Sequence, residues 1–188
     1  MLILGAVPQT KAAVVEYVTN GSFTQLSSPG QPTDWTIPGW VLQTGFAEDS
    51  GNSLRTPCSG PGFCIADASQ TLADPVGQSL SGSLWYLPGT FGPPNDLTVL
   101  VNGVQVLDVP NLSSSDWLKE VFAFTSTGSD VLEIRVWNFP ASSFISNVSV
   151  TGPATATPEP SYFAMIGAAL LFALSFGASA GPHGRKVT

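Results

Sequence analysis

Few side chains in this sequence could carry out chemistry. The single histidine, His183, lies in the C-terminal tail, so no Ser-His or Cys-His nucleophile pair can form in the body of the chain. Eight carboxylates (Glu48, Asp49, Asp67, Asp74, Asp96, Asp108, Asp116 and Glu120) could in principle supply the two that glycoside hydrolysis requires. Most stand in turn-like settings where solvation or capping is the expected role, and the chain is read as a non-enzyme. Cys58 and Cys64 are joined by a Gly/Pro-rich turn able to bring their Cα atoms within the ~4.4–6.8 Å a disulfide needs. In an oxidising compartment they would pair; in a cytosolic loop they would remain thiols. With no histidine beside them they are poor zinc ligands, and no metal site is expected.

The aromatic residues offer a second kind of chemistry. Five tryptophans are many for a chain of 188 residues, and an exposed indole presents a flat apolar face on which a sugar ring can stack. Trp35 and Trp117 fall in loops. Trp137 alternates with Leu132, Ile134 and Val136, so it faces outward if they face in. These three are the candidate glycan-stacking residues, while Trp40 and Trp85 are expected in the core.

Strands must position these groups. Gly (19) and Pro (16) are abundant and only 10% of residues are charged, a composition suited to short strands and many turns. Alternating runs occupy Ser79–Tyr86, Leu97–Val101, Val104–Val109, Trp117–Phe124, Val131–Trp137 and Ser146–Thr151, with weaker ones at Val14–Val18, Trp40–Thr44 and Phe63–Ala66. Asn102-Gly103, between two such runs, is a hairpin signal because both turn residues must accept φ > 0. Residues 14–151 are therefore expected to form an all-β, antiparallel sandwich of two packed sheets. A net charge of −7 with scattered basic residues argues against nucleic acid as a partner.

The C-terminal region is organised differently. Residues 152–161 form a Pro/Thr/Ala linker containing Pro158-Glu159-Pro160. Residues 162–180 carry no charge, and a helix of that length spans about 30 Å, the thickness of a bilayer's hydrocarbon core. Residues 181–188 end the chain with Arg185 and Lys186, a basic stop expected to remain cytoplasmic. The prolines hold the tripeptide extended at the outer membrane boundary. Residues 1–13 are either a signal-peptide remnant or part of a first strand.

Tripeptide, uncharged helix and short basic end together resemble the PEP-CTERM sorting domain of Gram-negative bacteria, a tail also labelled an ice-binding-protein C-terminal domain. That resemblance implies recognition of Pro158, Glu159 and Pro160 by an exosortase, a membrane-embedded transpeptidase, and association with exopolysaccharide and biofilm producers. Five phrases also resemble jelly-roll, galactose-binding-like sandwiches: Asn20-Gly21-Ser22-Phe23, Pro38-Gly39-Trp40, Leu80–Tyr86, Phe122–Gly128 and Ser146–Val150. Related carbohydrate-binding modules often place calcium-holding Asp residues on their last strand. The matching place here reads Ser146-Asn147, so no cofactor is assigned and structural calcium is left without its usual ligands.

The expected protein is thus exported, passing through a precursor that spans the inner membrane to reach the cell surface or extracellular matrix. Its expected partners are an exosortase-like sorting enzyme, the membrane and extracellular polysaccharide. The alternatives are a structural or adhesive matrix protein with protein partners only, and a glycan hydrolase.

Overall fold

Strict alternation in the central runs decides which side chains fill the core, because a strand sends successive side chains to opposite faces. The structure, a computed structural model, describes residues 13–57, 64–89, 94–138 and 141–154. Twelve strands are found among them: β1 (Val14–Glu16), β2 (Leu26–Ser28), β3 (Gln31–Pro32), β4 (Val41–Gln43), β5 (Ser53–Arg55), β6 (Cys64–Thr71), β7 (Ser79–Leu87), β8 (Asn95–Val101), β9 (Val104–Pro110), β10 (Leu118–Thr125), β11 (Val131–Asn138) and β12 (Phe144–Pro153). The chain divides after Ala154, and all described residues belong to the first unit. The expected linker begins later than residue 152, because β12 runs to Pro153. Residues 155–161 with the tripeptide, the apolar segment and the basic stop lie outside the described residues, among which no helix is long and apolar enough to cross a membrane.

Two antiparallel sheets face each other. One has the order β10-β7-β12-β5-β4, with β1 also paired to β12; the other is β6-β11-β8-β9, and β2-β3 is a separate small hairpin. The expected two-layer sandwich is what the chain forms. In β11, Leu132, Ile134 and Val136 are fully buried, and they meet Leu97 and Val99 of β8 and Leu80, Leu84 and Tyr86 of β7 in a single apolar cluster. Each such side chain contributes about 1.5–3 kcal/mol on burial. Asn102 and Gly103 close the β8-β9 hairpin with φ of 51° and 76°, the left-handed pair that this turn requires. Gly82 serves packing instead: a Cβ there would lie 2.1 Å from the Phe122 ring, which occupies the space.

Several boundaries differ from expectation. The last strand starts at Phe144 rather than Ser146, and its register shifts between Ser146 and Ser149. The bulge turns both Ile145 and Val148 inward, which simple alternation does not allow. The strand expected at Phe63–Ala66 is β6, which runs on to Thr71. β5 and the β2-β3 hairpin were not foreseen, each strand being three residues or fewer.

Tyr86 is one polar side chain the core accepts. Its hydroxyl shares a 3.3 Å hydrogen bond with Ser143 Oγ. Burial, aided by the charges of Asp96 and Glu120 and opposed by Ser143, pushes its pKa up to about 12.

Candidate glycan-binding face

The outer surface of the six-stranded sheet is built by the same alternation that fills the core. Because Leu80, Leu84 and Tyr86 of β7 point inward, Ser81, Ser83 and Trp85 point out. Register places Trp85 between Lys119 of β10 and Ser146 of β12, Ser83 between Val121 and Ser149, and Ser81 between Ala123 and Thr151. The result is a groove of about 560 Å³ lined by Ser81, Ser83, Lys119, Val121, Ser149 and Thr151. Hydroxyls alternate there with one exposed valine and one ammonium. Lys119 Nζ lies 5.9 Å from the centre of the Trp85 ring, a cation–π contact.

One end of this face is aromatic. The row that contains Leu87 continues through Phe144 to Arg55 of β5 and Val41 of β4. Trp117, just before β10, meets Phe144 with ring centres 6.4 Å apart, and Phe46 bridges them at 5.7 Å from Trp117 and 4.9 Å from Phe144. Phe46 comes from the loop after β4, and the same loop reaches the sheet at Glu48, whose backbone amide donates to Ser146 Oγ at 3.5 Å. Phe46 is 40% exposed, so the cluster opens to solvent. Ser53 and Arg55 flank the core residue Leu54 and therefore turn outward; Ser53 Oγ and Arg55 Nε are both buried without a hydrogen-bond partner. Such groups are normally satisfied. The apolar platform and the hydroxyl-lined groove beside it can engage a flat ring that bears hydroxyls.

The tryptophans sort differently from the sequence reading. Trp117 belongs to the open aromatic cluster. Trp35 is buried and offers no face: it packs edge-on against Phe23 with centres 5.3 Å apart, and its indole N–H donates to the carbonyls of Thr19 (3.1 Å) and Asn20 (3.2 Å). Trp40 is buried, while Trp85, expected in the core, stands half-buried on the outer face because its parity is opposite to that of Leu84 and Tyr86. Trp137 is half-buried on the outer face of the other sheet, opposite Ile65 and Asp96. Sequence reasoning missed Phe46, Phe144, Ser53 and Arg55; the outward parity of Arg55 beside the apolar Leu54 was the one available signal.

Cys64, at the start of β6, is disulfide-bonded; Cys58 lies outside the described residues. Carboxylates expected in turns prove to be partly in strands: Asp67, Asp96, Asp108 and Glu120 lie in β6, β8, β9 and β10. Asp67 accepts from Arg135 Nε at 2.7 Å, and Glu133 binds the same guanidinium at 2.6 Å. Burial raises the Asp96 pKa, offset in part by the Thr98 hydroxyl, and a hydrogen bond and repulsion from Asp108 raise it further. At the place compared with calcium-holding strands, Ser146 is buried and Asn147 occupies the bulge. Glu16, which pairs with this strand, spends its carboxylate on the amides of Val18 (3.0 Å) and Val150 (2.8 Å). Among the described residues no group of three or more His, Cys, Asp or Glu side chains is placed to hold a metal.

Comparison with known proteins adds the fold and no family. No family model matches the chain, and no curated protein matches it. Solved structures do. The CBM22-1 xylan-binding domain of Xyn10C from Paenibacillus barcinonensis is similar with a TM-score of 0.54 at 17% identity, over 79% of this chain and 100% of that one. TmCBM61, solved with β-1,4-galactotriose, gives 0.56 at 14% identity, over 72% and 97%. The K3 cleaved adhesin domain of Lys-gingipain from Porphyromonas gingivalis gives 0.55 at 11% identity, over 74% and 99%. At such identities the likeness is one of fold, a jelly-roll sandwich.

Proposed function

We propose that this chain is an exported, non-catalytic surface or matrix protein whose sandwich binds polysaccharide through the outer face of the six-stranded sheet. The observation that carries the reading is the solvent-open cluster of Trp117, Phe46 and Phe144 beside a hydroxyl-lined groove. Sandwiches of this fold include a xylan-binding domain and one solved with a galactotriose, which supports the class of ligand. Export rests on the resemblance of residues 157–188 to the PEP-CTERM tail. An exosortase-like enzyme would read Pro158-Glu159-Pro160 while residues 162–180 hold the precursor in the inner membrane and Arg185 and Lys186 stay cytoplasmic. On this reading Cys58 and Cys64 form a disulfide, consistent with an oxidising destination.

The binding half is tested by affinity electrophoresis of the full chain in detergent, in gels containing xylan, β-1,4-galactan or exopolysaccharide from a biofilm-forming bacterium. Trp117→Ala is expected to weaken retention by about tenfold or more, the scale of losing a central aromatic anchor, while Trp35→Phe leaves it unchanged. Retention that is equal for wild type and Trp117→Ala on every polymer overturns this assignment of the face. A second reading, adhesion to protein alone, is favoured by the exposed valines Val121 (65%) and Val41 (43%) on the same face. It predicts capture of a matrix protein with no polysaccharide retained.

The sorting half makes its own prediction. Glu159→Ala should accumulate as an unprocessed, membrane-bound precursor, whereas wild type reaches the surface fraction. Identical fractionation of the two would reduce the tripeptide to a linker.

A further inference from the structure

Two cations on the proposed binding face stand without a countercharge among the described residues. Three basic residues are described: Arg55, Lys119 and Arg135. Arg135, on the opposite sheet, is engaged by Asp67 and Glu133. Arg55 and Lys119 both point outward from the six-stranded sheet, and among the described residues no carboxylate pairs with either. Arg55 Nε is moreover buried without an acceptor, an expensive state for a charged donor. The covering loop does not supply one: the Glu48 side chain is exposed, and it is the Glu48 amide that contacts Ser146. Arg55 thus lacks a carboxylate partner among the described residues and, being partly exposed, can present its guanidinium to a carboxylate or sulfate, while Lys119 is steadied over Trp85 as a point charge.

The spacing of the two matters as much as their sign. They stand three strands apart in the order β10-β7-β12-β5 and two residues apart along them, about 16 Å between backbones at the usual strand spacing and rise. Trp85 and Phe144 lie on the two rows that span this interval, and Trp117 packs against Phe144. A small anion cannot touch both cations. A polymer with anionic groups recurring along apolar-faced rings can. The chain as a whole carries a net charge of −7, so diffuse attraction does not draw polyanions to it, and capture must be local. We infer that the ligand of this face is an acidic polysaccharide, with Arg55 and Lys119 each taking one anionic substituent and the aromatics holding the rings between them. This inference rests on the polysaccharide reading above and narrows it.

The test uses the full chain in detergent, with a chelator present, in affinity gels containing polygalacturonate, its fully methyl-esterified form, or inorganic polyphosphate. Polygalacturonate is expected to retard the protein about tenfold more strongly than the ester. Arg55→Gln and Lys119→Gln should each reduce that retention by about tenfold, and Arg135→Gln should not. Lys119 is exposed, so Lys119→Gln provides a variant whose thermal midpoint should match wild type. Equal retention by polygalacturonate and its ester would overturn the acidic ligand while leaving glycan binding in place. Retention by neither would overturn both. Retention by polyphosphate as strong as by polygalacturonate, or retention indifferent to both Arg55→Gln and Lys119→Gln, would also overturn it.

Discussion

Gly21→Ala is expected to lower the thermal midpoint of the sandwich by about 10 °C, the larger of two effects anticipated from glycine substitutions. The turn Asn20-Gly21-Ser22-Phe23 holds two left-handed non-glycine residues, Asn20 at φ 54° and Phe23 at φ 55°, and presses directly on the bulge of β12. A Cβ on Gly21 would lie 1.8 Å from the carbonyl oxygen of Val148 and 2.9 Å from its carbon. These are backbone atoms, so no rotamer change relieves the clash. Turn and strand must separate, breaking the 3.0 Å bond from the Val148 amide to the Gly21 carbonyl. Overpacking costs about 1–3 kcal/mol and the lost hydrogen bond about 1 more. The separation would also disturb the neighbouring residues that fix Trp35, whose indole donates to the Thr19 and Asn20 carbonyls. Gly30→Ala provides the contrast. Gly30 sits at φ 77° with nothing within 4 Å of a new Cβ, so only the left-handed backbone penalty of about 1–2 kcal/mol applies. Calorimetry of both variants checks the ranking, and a smaller loss for Gly21→Ala than for Gly30→Ala would refute the close approach.

Gly21 also shows how far the fold was legible. It stands in one of the phrases that resemble jelly-roll modules, yet nothing in one sequence reveals that its missing side chain faces Val148, which is 127 positions away. Alternation identified the long strands because each exposes one face and buries the other over seven or more residues, as β8 and β11 do. It failed for β5, whose three residues carry too little pattern. That failure concealed Arg55. The bulge in β12 defeated alternation in a different way, since Ile145 and Val148 share a face only once the register has slipped. Trp85 was misjudged by weighing the size of the side chain above its parity: the Leu84–Trp85–Tyr86 triplet had already assigned it to the outside. Trp35 failed in the opposite direction. A loop position suggested exposure, but a polar turn can bury an indole when backbone carbonyls are at hand to take its N–H. Of the aromatic platform only Trp117 could be read, because Phe46, Trp117 and Phe144 come together from a loop, a strand entrance and a strand start.

Two neighbouring carboxyls should respond to amide substitution with opposite signs. Asp130 is fully buried behind the β8-β9 turn. It accepts from Asn102 Nδ2 at 2.6 Å and from the Thr127 amide at 2.9 Å, with the Thr127 hydroxyl as a further donor. Asn102 in turn accepts the Val131 amide at 2.8 Å, so Asp130 organises both the Asn102-Gly103 hairpin and the turn before β11. Burial would raise its pKa, but donation from Thr127, Asp74 and Asn102 outweighs burial and holds it below the ordinary carboxylate value. Asp74 is shifted the other way. Burial leads, and the hydrogen bond and repulsion from Asp130 add to it, against opposing amide donors that include Asp130 N–H at 3.0 Å. Asp74 Oδ2 lies buried without a hydrogen-bond partner, which adds to the cost of ionising this carboxyl. The two carboxyls therefore link stability to pH in opposite senses. The depressed Asp130 contributes stability above its unfolded pKa that is lost as pH falls through the folded value; the raised Asp74 contributes stability below its unfolded pKa that is lost as pH rises through the folded value. Asp130→Asn should therefore lose about 3 kcal/mol at pH 7, because Asn102 and Thr127 are left facing an amide in place of a carboxylate. Asp74→Asn removes the charge that burial and Asp130 disfavour and keeps an oxygen to accept the Asp130 amide. Its stability should equal or exceed wild type at pH 7, and the loss with rising pH that Asp74 contributes should be absent. Urea midpoints of the three proteins between pH 4 and 8 check the assignment. Asp74→Asn as damaging as Asp130→Asn at pH 7 would mean that the surroundings of Asp74 favour its charged form, the reverse of this assignment.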